Sequence, residues 1–340
     1  MTTTISLATR DCIVLGCDSL ATSIRPFLDP FRLGDYFFEQ NGDLKRDANG
    51  NPLLQKTTQL SAFIQNVPQD QLPNVTKIFQ LEPLSVGLLF SGASGLGDLS
   101  VKNLVDSFLA DASFAPFKAV APSVKQVADA FYAFTTNIYN QSYANTPDPF
   151  KPTMEVLLSG YSAGSHLPEV FRLTFSAAPE NKAEVTPGQF TINFSGQFDV
   201  IHRVVMGIDL QGYVNLTDKS EKILKIYRDQ LMTFLTANNI QVPLPEPDMS
   251  DTKLQIFGDN FGGVKGLNSN TASLSEQAAI NFVEFLIDTM IKAQQFSGSI
   301  PTVGGDIHIA IITKANGFVW ISKEEYTFRG HAVRKHHNQA

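Results

Sequence analysis

The chain has 340 residues, 43% of them hydrophobic and 17% charged, with a formal net charge of −7; that length allows one large domain or two ordinary ones, and that apolar content excludes general disorder. An acidic balance without a basic cluster argues against a nucleic-acid partner, and no apolar stretch approaches the roughly 18 residues of a spanning helix, since the richest, Ala278 to Ile291, carries Asn281, Glu284 and Asp288. The start lacks the basic and apolar segments of a secretion signal, and two cysteines build neither a disulfide scaffold nor a four-thiolate zinc site, so a cytoplasmic protein without membrane, metal or cofactor is expected.

In chain order, strand-like runs at Thr3 to Thr9 and Cys12 to Cys17 flank Arg10-Asp11, a gap that suits a hairpin. From Ser23 to Asn74, recurring prolines and two Asn-Gly signals mark an inserted excursion with a hairpin of its own. Strands are expected at Thr76 to Leu81 and Ser85 to Ser91, followed by the Gly-rich run Gly92 to Gly97. Helical periodicity covers Asp98 to Ala112 and Ser123 to Tyr143, with Val124, Val127, Ala128, Phe131 and Phe134 on one face. Strand character returns at Met154 to Ser159, Glu169 to Phe175, Phe190 to Phe194 and Val200 to Met206. A helix fits Ser220 to Asn238, and prolines open a second irregular stretch, about 241–270. The last helix runs from Ser273 to Gln295 behind a capping-box spacing, strands Ile307 to Thr313 and Gly317 to Ile321 close the core, and His331 to Ala340 is a polar, basic tail. Blocks of strands alternating with blocks of helices favour an α+β fold of two antiparallel sheets face to face, flanked by helices. The whole reads as one domain, 2–340, with insertions at about 23–74 and about 241–270.

Met1 precedes a small residue, so its removal is expected to leave Thr2 first. A terminal threonine joins a hydroxyl to an α-amine whose ordinary pKa of about 7.7–8.0 leaves part of it neutral at pH 7, able to take the hydroxyl proton. One residue then supplies nucleophile and base.

The run Thr2-Thr3-Thr4-Ile5 through Gly16-Cys17-Asp18-Ser19-Leu20-Ala21-Thr22 resembles the opening of proteasome β-subunits and of the related bacterial peptidase HslV. These begin with a Thr-Thr pair, a hairpin and Ala-Asp-Ser-Arg-Ala-Thr or a close variant, and the Thr2-to-Asp18 spacing matches without a gap. Lys77-Ile78-Phe79-Gln80-Leu81 looks like the family strand that carries the catalytic lysine, and Ser91-Gly92 falls where the family places its oxyanion-hole glycine. Gly305-Asp306-Ile307-His308-Ile309 resembles HslV's closing strand.

The resemblance implies an N-terminal nucleophile hydrolase with a four-layer αββα sandwich, acting as a threonine-type endopeptidase on peptides or unfolded proteins. Thr2 would attack the carbonyl, Lys77 would favour loss of the hydroxyl proton, Asp18 would orient Lys77, and the Gly92 N–H would hold the oxyanion, a contribution of about 3–4 kcal/mol elsewhere. It also implies a homo-oligomer and an ATP-driven unfoldase as partner. Three positions depart from the family: Leu20 replaces an arginine, and Ile300 and Val303 replace an aspartate and a serine that support the nucleophile. A further family serine aligns loosely with Gly207-Ile208-Asp209, which makes Asp209 an additional candidate.

Two other readings stay open. Gly160-Tyr161-Ser162-Ala163-Gly164 fits the G-x-S-x-G elbow of serine esterases and lipases, with Ser162 as nucleophile, although Pro168 and an alternating run follow where that elbow needs a helix. A catalytically silent, proteasome-like scaffold subunit would keep the fold without the chemistry, and a retained Met1 would require it. Asp47-Ala48-Asn49-Gly50-Asn51-Pro52 hints at a calcium loop but has Pro52 where glycine is needed, so a turn is expected.

Overall fold

The apolar runs that open the chain form β1 (Thr3–Ala8) and β2 (Cys12–Asp18), and every residue of both is buried, the signature of strands covered on both faces. The computed structural model describes residues 2–28, 38–39, 43–51, 64–206, 210–240, 271–298, 300–323, 326–328 and 331–333. After β1 and β2 come β3 (Ala21–Leu28), β4 (Ile64–Leu72), β5 (Ile78–Gln80), β6 (Val86–Gly92), β7 (Gly95–Leu96) and β8 (Leu99–Ser100). Helices α1 (Val101–Ala110), α2 (Ala115–Ala119) and α3 (Val124–Ser142) lead to β9 (Met154–Tyr161), β10 (Pro168–Phe175), β11 (Glu180–Val185) and β12 (Ile192–Gly196). Helices α4 (Asp199–Met206), α5 (Leu210–Ala237) and α6 (Glu276–Gln295) precede β13 (Ile307–Thr313), β14 (Gly317–Ser322), β15 (Tyr326–Phe328) and β16 (His331–Val333).

The fold is α+β with antiparallel sheets. One five-stranded sheet has the order β12-β1-β2-β13-β14 and the other β11-β10-β9-β6-β5. The chain forms two compact units, Met1–Gln197 with Thr271–Ala340, and Phe198–Asn270. Both large sheets lie in the first unit; the second contributes α4 and α5. Among the described residues no helix is long and apolar enough to cross a membrane.

Within the first unit the facing sides of the two sheets meet through Ile13, Leu15, Cys17, Ala310 and Ile312 from one and Ile78, Leu89, Leu157 and Val170 from the other. The outer side of the β9 sheet carries α1 and α3, whose Leu104, Val105, Phe108, Val127 and Phe131 pack against Leu88, Phe90, Val156 and Leu158. Phe131 meets Phe108 edge-on at 5.0 Å and Phe90 at 6.3 Å, contacts worth about 0.5–1.5 kcal/mol each beyond their area. Ser123 and Gln126 close a reciprocal capping box at the start of α3. Helix α6 packs on β1, β2 and β13, burying Ala279, Val283, Leu286, Ile287 and Met290, the i, i+4, i+7 set of an amphipathic helix.

Several expected elements shift. Val200 to Met206 is part of α4, not a strand: its four β-branched residues read as extended, yet Asp199 at the first turn and Arg203 in the last suit the helix dipole. Helix α5 begins ten residues earlier than expected from Ser220, through a stretch whose Gly212 weakens the helical signal. Strand β11, Glu-Asn-Lys-Ala-Glu-Val, is a mostly exposed edge strand with little apolar pattern to find. The expected tail starts with β16, paired to β15. The excursion contains the β3–β4 pair, from Ala21↔Leu72 to Leu28↔Ile64. The insertion at 241–270 lies outside the described residues.

Candidate active site

The hairpin register sets the site. Thr4 pairs with Cys17 in the β1–β2 ladder, so the residues just before β1 lie beside Asp18 at the end of β2. Asp18 is also opposite Ile307 at the start of β13. Lys77 stands immediately before β5, and its carbonyl accepts from Phe90 N–H at 3.0 Å. Thr2, Asp18 and Lys77 are 4%, 0% and 5% exposed, and burial of charge at this level requires paired, fully bonded groups.

The pairing is complete. Thr2 Oγ1 donates to Asp18 Oδ1 at 2.5 Å. Lys77 Nζ donates to Thr2 Oγ1, to Asp18 Oδ1 at 2.8 Å and to the Leu20 carbonyl at 2.6 Å, using all three ammonium protons. Asp18 Oδ1 accepts further from Thr3 N–H at 2.9 Å, and Oδ2 accepts from Leu20 N–H at 3.3 Å and Gly304 N–H at 3.1 Å. The carboxylate therefore joins three chain segments. The ammonium on the threonine oxygen favours the anionic form of that oxygen, as any close cation does.

Gly92 ends β6, two positions beyond the Phe90 that bonds Lys77's carbonyl, about 6.6 Å along an extended strand. Its φ is +83°, and a Cβ there would sit 2.3 Å from Thr153 O, so both backbone and space require glycine. Gly196, opposite Thr3 on β12, has φ +81°, and a Cβ there would meet Thr2 O at 2.0 Å.

The structure thus brings Thr2, Asp18 and Lys77 into mutual hydrogen-bond contact and puts Gly92 at the end of a neighbouring strand. Asp209 lies outside the described residues. Ile300 is half-exposed and Val303 buried; neither carries a polar group. The support of this segment comes from positions between and beside them: the Gly304 N–H on Asp18 and the Thr302 hydroxyl, which donates to Gln197 Oε1. Ser19 accepts from Asp306 N–H at 2.7 Å.

Three groups escaped the reading of the sequence. The first is a polar bridge between the sheets: Ser91 and Ser195 hydroxyls bond one another, Ser195 donates to Glu155 Oε2 at 2.5 Å, and Arg172 donates to Glu155 at 3.0 Å, to Glu184 at 3.0 Å and to the Phe194 carbonyl at 2.8 Å. It ties the residue before Gly92 to the residue before Gly196. The second is the Gln197–Thr302 pair. The third is His308, 1% exposed, opposite Cys17 on β13, with no hydrogen-bond partner for either ring nitrogen among the described residues. Burial, with the Lys77 charge nearby, pushes its pKa below the usual histidine value, while Asp306 and Asp18 oppose the shift. Burial pushes the Cys17 thiol up to about 12, against the pull of the Lys77 charge. Isolated serines and a histidine on strands, and a glutamine just past one, give no spacing signal; only their surroundings across the fold identify them.

Ser162 lies in the turn between β9 and β10, paired strands with Pro168 opposite Tyr161. Strand, turn and strand replace the strand, turn and helix of a nucleophile elbow. Its hydroxyl donates to Glu169 Oε1 and accepts from Val124 N–H at 2.9 Å, so it caps α3. At the supposed calcium loop, Asp47 Oδ1 accepts from Asn49 and Asn51 N–H, each at 2.9 Å, the self-bonding of an Asx turn. Among the described residues no three His, Cys, Asp or Glu side chains group as a metal site would. The chain matches no family model and no curated protein.

Proposed function

We propose that this protein is an N-terminal nucleophile hydrolase of the proteasome β-subunit and HslV type, with the four-layer αββα fold, and that it acts as a threonine peptidase. The observation that carries the reading is the buried contact of the Thr2 hydroxyl with both the Lys77 ammonium and the Asp18 carboxylate. Few structural roles need a buried lysine pointed at a threonine oxygen, and charge pairs of this kind concentrate at functional sites.

With Met1 removed, the steps follow from the groups present. Thr2 Oγ attacks the substrate carbonyl carbon as its proton passes, through water, to the α-amine. Lys77 stabilises charge on Oγ as the proton leaves, and Asp18 holds Lys77. The carbonyl oxygen becomes an oxyanion held by the Gly92 N–H. Collapse breaks the C–N bond, the leaving amine takes the proton back from the α-ammonium, and an ester on Thr2 remains. Water, deprotonated by the α-amine, cleaves that ester, releasing the acid and restoring the hydroxyl. Peptides or unfolded proteins are the substrate class, the cytoplasm is the compartment, and a homo-oligomer fed by an ATP-driven unfoldase is the assembly that the family resemblance supports.

Processing and activity test this together. A preparation whose intact mass shows Met1 removed is expected to hydrolyse members of a fluorogenic peptide panel. A variant with residues added before Thr2 that resist trimming is expected to be inactive. Absence of hydrolysis by the trimmed protein overturns the peptidase reading; Met1 retained in the purified protein favours the silent scaffold.

A further inference from the structure

Thr2 is gripped by its main chain as well as by its hydroxyl, and that grip runs through two side chains that no motif marks. The peptide unit between Thr2 and Thr3 has both polar groups fixed: Thr2 C=O accepts from Gln197 N–H at 2.7 Å, and Thr3 N–H donates to Asp18 Oδ1 at 2.9 Å. The Thr3 hydroxyl donates to the Gln197 carbonyl at 2.6 Å, so residue 197 clasps the Thr2-Thr3 pair with both of its main-chain groups. The Gln197 side chain is anchored in turn. Its Oε1 accepts from the Thr302 hydroxyl, and Thr302 N–H donates to Gln294 Oε1, in the last turn of α6, at 3.3 Å. The Thr302 hydroxyl also lies 3.4 Å from that Gln294 oxygen. Thr302 is 5% exposed, so water does not readily replace these bonds.

The consequence is stereochemical. Pinning the peptide plane fixes the carbonyl carbon of Thr2, and the bonds to Lys77 and Asp18 fix its Oγ and hence its Cβ. With two of the three heavy substituents on Cα held, chirality leaves the α-nitrogen one direction. In a residue that supplies both nucleophile and base, that direction decides whether the amine can reach the hydroxyl proton. We propose that Gln197 and Thr302 are positioning residues for Thr2, fixing its α-amine relative to its hydroxyl in place of the polar groups missing at Ile300 and Val303. The proposal rests on the reading of Thr2 as the nucleophile.

The test is the inactivation kinetics of the trimmed protein with a threonine-reactive β-lactone, which separate the rate at saturation from the half-saturating concentration. Thr302→Val keeps the shape and removes the donor. It is expected to lower the saturated rate about tenfold or more, in line with the large cost of small misplacements, and to change the half-saturating concentration less than twofold. Thr302→Ser restores the hydroxyl and is expected within twofold of wild type. If Thr302→Val does not fold, Gln197→Met removes the bond from the other side and is read the same way. A Thr302→Val protein that has a lower melting temperature but is inactivated at the wild-type rate overturns the positioning role and leaves the Thr2 reading standing. A wild-type protein that forms no adduct on Thr2 overturns the reading beneath it.

Discussion

Of the described hydroxyls that donate to a carboxylate, two compare most usefully, and of that pair only Thr2 also has a cation on its oxygen. Thr2 bonds Asp18 and Ser162 bonds Glu169. Around Thr2, a lysine uses one of its three protons on the hydroxyl oxygen, and three backbone N–H groups steady the carboxylate. Around Ser162, the oxygen takes the Val124 N–H at a helix start, and the nearby Lys314 reaches only the Ser162 carbonyl, at 3.5 Å. A carboxylate alone holds a hydroxyl in place. A cation on the oxygen stabilises the charge that appears when its proton leaves. In the reading proposed for Thr2, that cation is what separates a nucleophile from a cap.

The comparison breaks most sharply by deletion. Thr2→Ala is expected to reduce peptide hydrolysis to background, whereas Ser162→Ala leaves it within twofold; parallel assays with one fluorogenic peptide check both, and the reverse pattern restores the esterase.

Lys77→Met removes the cation and keeps the bulk. Hydrolysis is expected to fall about 10²–10⁴-fold, the range assigned to assisted proton transfer. Because Asp18 then stays buried without its ion-pair partner, stability should drop by about 3–5 kcal/mol, measured by urea unfolding. Glu169, which has no ion-pair partner among the described residues, sets the contrast: Ser162→Ala is expected to lose about 1 kcal/mol through the exposed helix start with activity retained.

The smallest effect is the pH dependence of folding. His308 is held below its ordinary pKa, so between about pH 6.5 and its folded value the unfolded chain binds more protons, and stability falls as pH decreases. It contributes nothing above that window. The groups that act on it are Asp306, Lys77, Asp18 and Lys323. His308→Leu is expected to flatten the fall in urea midpoint below pH 6.5; an unchanged slope would show that another group carries it.

The strands that could be read from sequence were those with apolar runs. Strands β1, β2, β6, β9, β10 and β13 supply the buried layers, and their alternation or continuity announces them. Strand β11, where Val185 is the one buried residue, and α4, whose β-branched residues imitate a strand, could not be found this way, because propensity yields to tertiary packing. Within the site, Asp18 and Lys77 were legible only through the family resemblance, Asp18 by a gap-free spacing from Thr2 that matches the family's and Lys77 by the run Lys77 to Leu81, which looks like the family's lysine-bearing strand. Gln197 and Thr302 were not. They are 105 residues apart, joined by a single side-chain bond, and nothing local distinguishes either from an ordinary polar residue. Loose alignment after the central strand pointed instead to Asp209.

The most direct test of the account is to expose the protein to a threonine-reactive β-lactone, weigh it intact before and after, and locate the adduct by peptide sequencing. One adduct on Thr2 of a chain lacking Met1, absent in Thr2→Ala, is the result expected. An adduct on Ser162, or none on a trimmed and folded chain, would contradict it.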